Sequence, residues 1–387
     1  METSVYTLWV ASYNRCFANY VIITDIFFFV VLVFVFLIVV CFFCCVGMSG
    51  VGKKRRTSGS LHLHLLLPLL LVAALEVRGE AEGESNPQRS NWAVVVDASR
   101  YWFNYRHAAN ALGFYRELRD LGIPEDHIVL MLADDVACSP RNGYPGQVFL
   151  SQEHTRNVYG DAVQVDYRGP EVTVRTVLGV LEGRHAPGTP AHRRLDSDEH
   201  ANVLLYFTGH GGDGFFKFQD REELLAEDLA DTVAAMAARG RFRELLIVFD
   251  TCQAGSMAGG LRTPGVLAVA SARRGESSYS YTTDDSVGLA VVDRFTYHTV
   301  AYLDALKGRA RDASTARTVF GSAVARTRMD QFVDHFSPAF TVSHVDTRAD
   351  LLNRSLSQVL LADFFANTHT RTHFVPDRLI TDEWFQE

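Results

Sequence analysis

The residues of this chain that are best suited to chemistry are a histidine and a cysteine in two short polar segments. His210 lies in the sequence TGHGG at 208–212, and Cys252 lies in DTCQ at 250–253. A thiolate is a strong nucleophile toward a carbonyl carbon, and a neighbouring imidazole lowers the thiol pKa from about 8.5 and protonates the leaving group. If the two side chains meet, the sequence predicts acyl transfer through a thioester, with the backbone N–H groups of Gly211 and Cys252 as oxyanion donors.

Each polar segment follows an apolar run that predicts a buried parallel strand, at 203–207 before the histidine and at 245–249 before the cysteine. The spacing between them suits a crossover helix, which the sequence predicts at 222–238. Neighbouring parallel strands joined by a helix bring their carboxyl ends to one edge of a sheet, where open α/β folds build their sites. We therefore expect the imidazole and the thiol to lie side by side.

The same alternation of strands and helices predicts an α/β fold for the whole domain, with an open, mostly parallel sheet flanked by helices on both faces. The further predicted strands are 92–96, 128–132 and 266–270, and the further predicted helices are 106–121 and 171–181. Two long loops, 133–169 and 183–201, interrupt the pattern. Loops of that length in a compact domain are usually functional or bound to a partner.

Composition and charge exclude several other classes of protein. The chain has 387 residues, of which 48% are hydrophobic, so a sizeable core is expected, and its net charge of −8 argues against nucleic acid as a partner. After residue 47 there is no CxxC or HExxH spacing that would indicate zinc, and there is no GxxxxGK[ST] phosphate loop.

The first 75 residues differ in character from the rest of the chain. Residues 26–46 form an uncharged run of 21 residues dominated by Phe and Val, which is long enough for a membrane-spanning helix. The basic cluster KKRR at 53–56 and a shorter apolar stretch at 61–75 follow, and together they indicate a secretory signal peptide. Met48 lies just before this pattern.

Two accounts of the amino terminus follow from this pattern. Either translation starts at Met48, or the first 47 residues contain a true membrane helix. In both accounts the basic cluster stays in the cytosol and the rest of the chain crosses the membrane, so we expect a protein of the secretory pathway. The expected organisation is a doubtful extension or transmembrane helix at 1–47, a signal peptide at 48–79, a linker at 80–90, and a catalytic domain with a C-terminal tail at 91–387.

Two of the six cysteines, Cys138 and Cys252, lie beyond residue 47. A nucleophilic Cys252 must stay reduced, so Cys252 is not expected to serve as the disulfide partner of Cys138. The surroundings of Cys138 at 133–143 are polar and rich in turn formers, so we expect it to be exposed and bonded to another chain. An inert buried thiol and an inactivating bond to Cys252 are the alternatives.

From residue 91 to about 367 the chain resembles the legumain family of caspase-like cysteine peptidases, and within it the catalytic subunits of glycosylphosphatidylinositol (GPI) transamidases. The segments that carry the resemblance are NWAV at 91–94, WFNYRH at 102–107, LGIP at 121–124, MLADD at 131–135, NVYGD at 157–161, FQD at 218–220, and the TGHGG and DTCQ segments. FNYRH and FQD are similar to the transamidase subunits rather than to legumain at large.

The resemblance implies a caspase-like fold and a role for several residues. Cys252 would be the nucleophile and His210 the general acid and base. Asn104, which the residues alone place at the end of an aromatic strand, would orient the imidazole. The other implied sites are Ser278 and Ser280 in the substrate pocket, Cys138 in a disulfide to a lumenal partner subunit, and a structural Ca²⁺ near Glu125, Gln164 and Asp166. No cofactor is required, and Gln164 in place of a carboxylate weakens the Ca²⁺ site.

The implied reaction removes the C-terminal signal peptide of a proprotein and transfers the new carbonyl to the ethanolamine amine of a GPI lipid. The chain would act with other subunits in a membrane complex of the endoplasmic reticulum, with its catalytic domain in the lumen, where Asn353 in NRS would accept a glycan. Many relatives continue into a C-terminal membrane helix, which the apolar segment 359–365 does not provide. A legumain-like endopeptidase cleaving after asparagine and a non-catalytic scaffold are the alternatives.

Overall fold

A computed structural model describes residues 91–311 and 323–367, so the interpretations of residues 1–90 lie outside the described part of the chain. The strands are β1 (Trp92–Asp97), β2 (Ile128–Leu132), β3 (Tyr167–Arg168), β4 (Asn202–Thr208), β5 (Gly211–Gly212), β6 (Phe215–Phe218), β7 (Glu222–Leu225), β8 (Glu244–Asp250), β9 (Val266–Ala270), β10 (Ser280–Asp284), β11 (Leu289–Asp293) and β12 (Asp346–Arg348). The α-helices are α1 (Tyr105–Asp120), α2 (Val174–Leu181), α3 (Ala226–Ala238), α4 (Arg294–Arg311), α5 (Met329–Asp334), α6 (Pro338–Thr341) and α7 (Ala362–Phe365).

The central sheet has seven strands in the order β12-β9-β8-β4-β1-β2-β3. Its strands pair in parallel except β12, which runs antiparallel to β9 at the edge. The predicted α/β class with a mostly parallel sheet is therefore confirmed. The strands at 92–97, 202–208 and 244–250 are apolar and buried because they lie in the middle of the sheet, covered on both faces.

Side chains of β1 alternate between two cores, as the period of two residues in a strand requires. Ala93 and Val95 pack with α1 and α4 on one face. Val94 and Val96 pack with α2 and α3 on the other face. Helices thus cover both faces, as expected.

The crossover between β4 and β8 differs from the prediction of one helix at 222–238. Residues 222–225 form β7, the outer strand of a small antiparallel sheet with β5 and β6, and α3 begins at Ala226. In β7 Leu224 is fully buried while Glu222 and Glu223 are exposed, so pairing with β6 decides the conformation over helix propensity. The small sheet begins at Gly211, directly after His210, and therefore lies next to it.

Two further predictions concern segments near the ends of the domain. Residues 102–104 form a 3₁₀ turn, so Asn104 ends a turn that leads into α1, not an aromatic strand. The apolar segment 359–365 contains the short helix α7, whose Phe364 and Phe365 are buried in the core. Within residues 91–311 and 323–367, no helix is long and apolar enough to cross a membrane.

Candidate active site

The imidazole and the thiol lie beyond the carboxyl ends of neighbouring parallel strands. β4 and β8 pair in a register that sets Thr208 opposite Asp250, and His210 and Cys252 each lie two residues further along. Both residues therefore lie at the same edge of the sheet, as expected from the spacing. Cys252 is a half-buried free thiol, and its Sγ donates to the carbonyl of Ser278 at 3.8 Å.

The turn after Cys252 presents the thiol outward. Gln253 adopts a left-handed conformation with φ 54°, and its backbone N–H donates to the carbonyl of Glu276 at 2.8 Å. A 3₁₀ turn over Ala254–Ala258 follows directly. The chain thus bends sharply after β8, which leaves the cysteine at the end of a strand with its side chain open to a substrate.

Asn104 holds the imidazole of His210. The His210 Nε2 lies 2.9 Å from Asn104 Oδ1, and the Nδ2 of the same amide donates to the Arg100 carbonyl at 2.6 Å. Because the amide nitrogen is occupied, its oxygen accepts from Nε2–H, and the ring Nδ1 remains to exchange a proton with the thiol. Burial, and then the charge of Arg106, lower the pKa of His210, so the ring is a neutral proton acceptor near neutral pH.

His107 supports the imidazole from the side and was missed from the sequence. Its ring packs edge-on against the ring of His210 at a centroid distance of 4.9 Å. Its Nδ1 lies 2.8 Å from Ser99 Oγ, and its Nε2 lies 3.7 Å from Asp293 Oδ2. Burial lowers the pKa of His107, so it is an uncharged packing partner. The sequence feature that could have indicated this role is the position of His107 in the segment FNYRH, three residues after Asn104.

A pair of buried carboxyl groups lies behind the thiol. Asp250 accepts from Ser278 Oγ at 3.2 Å and from Thr296 Oγ1 at 2.6 Å, while Asp293 accepts from Arg106 Nε at 3.1 Å. Burial, and then the charge of Asp293, raise the pKa of Asp250 to about 7. The two carboxyl groups are buried. Asp250 contacts Ser278 near Cys252, and Asp293 contacts Arg106 near His210.

The raised pKa of Asp250 predicts a pH-dependent stability. The folded state binds the proton of Asp250 more tightly than the unfolded chain does. The stability that protonated Asp250 contributes is therefore fully present below about pH 4 and is lost as the pH rises through about 7. The Asp250→Asn variant has no charge at this position, so its stability relative to wild type is expected to rise between pH 5 and pH 8, by on the order of 1 kcal/mol or more. Urea unfolding of both proteins at the two pH values measures this. Asp231→Asn, on the exposed face of α3, is the control; a difference for Asp250→Asn that does not vary with pH would contradict the prediction.

Gly211 allows the loops that carry the histidine and the cysteine to approach each other. A Cβ at Gly211 would lie 2.6 Å from Thr251 Oγ1 and 3.1 Å from the Phe215 carbonyl. A side chain there would push Thr251 away and move the backbone on which Cys252 stands. The proposed oxyanion donors, the N–H groups of Gly211 and Cys252, sit on the two sides of this contact.

Gly211→Ala is therefore expected to reduce product formation by about 10²-fold, the loss typical of one displaced oxyanion donor. Gly143→Ala is the matched control, because a Cβ at Gly143 meets no atom within 4 Å. Turnover of both variants, measured at equal protein level, tests the prediction. Equal activity of the two variants would show that the contact does not matter.

The serines predicted in the substrate pocket differ in their placement. Ser278 contacts the thiol through its carbonyl and Asp250 through its hydroxyl. Ser280 lies two residues further along, exposed at the start of β10. The structure thus brings Ser278 into contact with Cys252 and leaves Ser280 exposed on the surface.

The residues predicted to hold Ca²⁺ are engaged with each other and with basic groups. Gln164 Nε2 donates to Asp166 Oδ1 at 3.3 Å, and His192 Nδ1 lies 2.8 Å from the same oxygen. Glu125 Oε2 lies 3.9 Å from Arg119 Nη2. In the described ranges, no group of three or more His, Cys, Asp or Glu side chains is placed to hold a metal. These contacts occupy Asp166 and Glu125 with other partners, and the Ca²⁺ site stays a prediction that the proposed mechanism does not use.

Cys138 lies on the loop that follows β2, and Asn353 lies on the segment that follows β12. Cys138 is half-buried on the loop after β2, where we predicted exposure, and its backbone N–H donates to Asp135 Oδ1 at 3.1 Å. Because Cys252 is a free thiol, the alternative of a bond between these two cysteines is wrong. The disulfide to another chain stays a prediction. Asn353 is exposed, as a glycan acceptor must be.

A cysteine and a histidine at one edge of a parallel sheet, with an amide that holds the imidazole, define a cysteine-dependent peptidase or acyl transferase. The chain belongs to the Peptidase C13 family, whose family model matches residues 91–349.

Curated relatives support this membership along most of the chain. The GPI-anchor transamidase of Saccharomyces cerevisiae is 42% identical over 320 residues, which cover 81% of this chain and 74% of that protein. The GPI-anchor transamidase of Homo sapiens is 43% identical over 308 residues, covering 78% and 73%. The putative GPI-anchor transamidase of Drosophila melanogaster is 44% identical over 293 residues, covering 76% and 77%. The resemblance inferred from the motifs is confirmed.

A solved structure of caspase-1 from Spodoptera frugiperda aligns with 69% of this chain and 90% of its own, with a TM-score of 0.35 and 13% identity. At that similarity it adds nothing to the assignment, which rests on the sheet, the site and the family.

Proposed function

We propose that this chain is the catalytic subunit of a GPI transamidase, which cleaves the C-terminal signal peptide of a proprotein and attaches the new carbonyl to a GPI lipid. The observation that carries the proposal is the Asn104–His210 hydrogen bond at the sheet edge that also bears Cys252, in a chain about 42% identical to proteins named GPI-anchor transamidase.

The first half of the reaction is thioester formation. The Nδ1 of His210 takes the proton of Cys252, and the thiolate sulfur attacks the carbonyl carbon of the scissile amide. The N–H groups of Gly211 and Cys252 stabilise the oxyanion. The C–N bond then breaks, the imidazolium gives its proton to the departing amine, and the signal peptide leaves. Asn104 Oδ1 accepts from Nε2–H throughout and keeps the ring in place.

The second half transfers the acyl group to an amine. The ethanolamine nitrogen of GPI attacks the thioester carbonyl, His210 takes its proton, and the C–S bond breaks to release Cys252. Water at about 55 M competes, so the amine must be bound and oriented, which can supply effective molarities of roughly 10⁵ M or more. We assign this binding to partner subunits together with this chain.

The cellular setting follows from the same proposal. The catalytic domain lies on the lumenal side of the endoplasmic reticulum in a membrane complex, with one partner held by a disulfide through Cys138. The position of Cys138 on the long loop after β2, where its side chain is partly exposed, supports a role in assembly. Asn353 is exposed, so a glycan could be attached to it in this location.

Trapping with hydrazine in membranes tests the proposal. Hydrazine replaces the ethanolamine amine at the thioester, so membranes that contain this chain and its partners are expected to release the signal-cleaved proprotein as a hydrazide. Mass spectrometry of the new C terminus distinguishes the hydrazide from a free acid. Release of free acid only, together with cleavage of short asparagine peptides by the isolated chain, would identify a legumain-like hydrolase instead. Hydrazide formation that persists without Cys252 would identify a scaffold.

A further inference from the structure

The loop that delivers Asn104 contains a residue in a rare backbone conformation. Tyr101 has φ 78° and ψ 148°, a region that is close to glycine-only. It lies three residues before Asn104, in the connection between β1 and α1. A tyrosine in this conformation requires a specific interaction that offsets the strain.

Asp134 supplies that interaction. Its Oδ2 accepts the backbone N–H of Tyr101 at 2.6 Å, and its Oδ1 accepts the backbone N–H of Asp135 at 2.9 Å. Asp134 stands two residues beyond Leu132, which pairs with Asp97 at the end of β1. The carboxylate therefore reaches from the end of β2 to the loop that leaves β1.

The Tyr101 conformation in turn sets the position of Asn104. The Tyr101 carbonyl accepts the backbone N–H of Asn104 at 2.9 Å, and the neighbouring Arg100 carbonyl accepts its side-chain Nδ2 at 2.6 Å. These two carbonyls aim the Asn104 oxygen at His210 Nε2. A change in the Tyr101 peptide moves both carbonyls at once.

We infer that Asp134 is a positioning residue for the reaction: it fixes the strained Tyr101 turn and thereby holds Asn104 against the imidazole of His210. The inference rests on the proposed catalytic role of His210. It assigns to Asp134 no contact with the substrate, so its loss should slow the chemical steps and leave substrate binding intact.

The test uses the full chain in membranes with its partner subunits and follows hydrazide release. Asp134→Ala is expected to lower kcat about tenfold with little change in KM, because misplacing a supporting group by less than an ångström has effects of this order. Asp134→Asn keeps one acceptor oxygen, which can still accept from Tyr101, while the N–H of the exposed Asp135 can turn to water; this variant is expected to stay within about twofold of wild type. Asp126→Ala, an exposed aspartate just before the opposite end of β2, is the control.

Two combinations separate positioning from general stability. In an Asn104→Ala background, Asp134→Ala should cost less than about twofold, because residues that act as one unit are not additive. Tyr101→Gly should restore most of the rate lost in Asp134→Ala, since glycine adopts the Tyr101 conformation without strain. This rescue remains informative even if Asp134→Ala alone is poorly folded.

Independent, multiplying losses in Asp134→Ala and Asn104→Ala would overturn the inference, as would a raised KM, an Asp134→Asn variant as impaired as Asp134→Ala, or a lack of rescue by Tyr101→Gly. Cys252→Ala in the same assay separates a failure of the inference about Asp134 from a failure of the proposed function. If Cys252→Ala is inactive and Asp134→Ala is normal, this inference alone fails, whereas an active Cys252→Ala removes the proposed function.

Discussion

Cys252→Ala is expected to reduce the formation of GPI-linked product by at least about 10³-fold and to leave the uncleaved proprotein in the membrane. In the proposed mechanism the Cys252 thiolate forms the thioester, so without it neither cleavage nor transfer has a covalent intermediate. Positioning and oxyanion contacts alone leave only a small residual rate. Pulse-chase labelling of a GPI-anchored reporter, in cells whose own subunit is replaced by the variant, measures the loss.

Ser277→Ala is the matched control for that experiment, because Ser277 is exposed and the hydrogen bond of the thiol goes to the carbonyl of the next residue, Ser278. Its activity should equal that of wild type at the same protein level. Normal anchoring by Cys252→Ala would mean that the chain only presents the proprotein.

His210→Ala is expected to lose about 10³-fold, within the range typical of a general acid and base. The variant has no group to take the thiol proton or to protonate the leaving amine, while Cys252 itself remains. The double variant with Cys252→Ala should be no slower than Cys252→Ala alone, because the two residues act in the same steps. Single-turnover rates of proprotein cleavage measure both effects.

His200→Ala is the control for this pair, since His200 lies on the surface with 65% of its side chain exposed. It tests whether loss of any imidazole lowers activity. A His210→Ala variant that stays within a few-fold of wild type would place the proton transfers on another group and remove His210 from the mechanism.

The local pattern of the chain was enough to predict the dyad. The apolar runs before His210 and Cys252 have the length and composition of buried strands, and both strands end where the polar residues begin. Parallel neighbours necessarily end at the same edge, so the placement of His210 and Cys252 at one edge of the sheet follows from the elements between them. The error at 222–225 did not affect this outcome, because the crossover still contains α3.

Asn104 shows where the local pattern stops being informative. The residues alone suggested a strand end, whereas the chain forms a 3₁₀ turn there, and the resemblance to known peptidases supplied the role of the residue. Its contact with His210 depends on β1 lying beside β4 in the sheet. Periodicity reports which face of an element is buried, but it does not report the order of strands.

What the sequence by itself determined is the α/β class and the family, and it also predicted that Cys252 and His210 lie at one edge of the sheet, because these depend on strand-length apolar runs and on short segments of specific residues. Only the tertiary structure decided that Asp250 meets Asp293 in the interior and that Asp134 supports the Tyr101 turn. Each of these pairs joins residues from separate elements. The free energies of these contacts come from burial, charge and hydrogen bonds between residues that are far apart in the sequence. The contacts therefore form only once the sheet has brought the elements together.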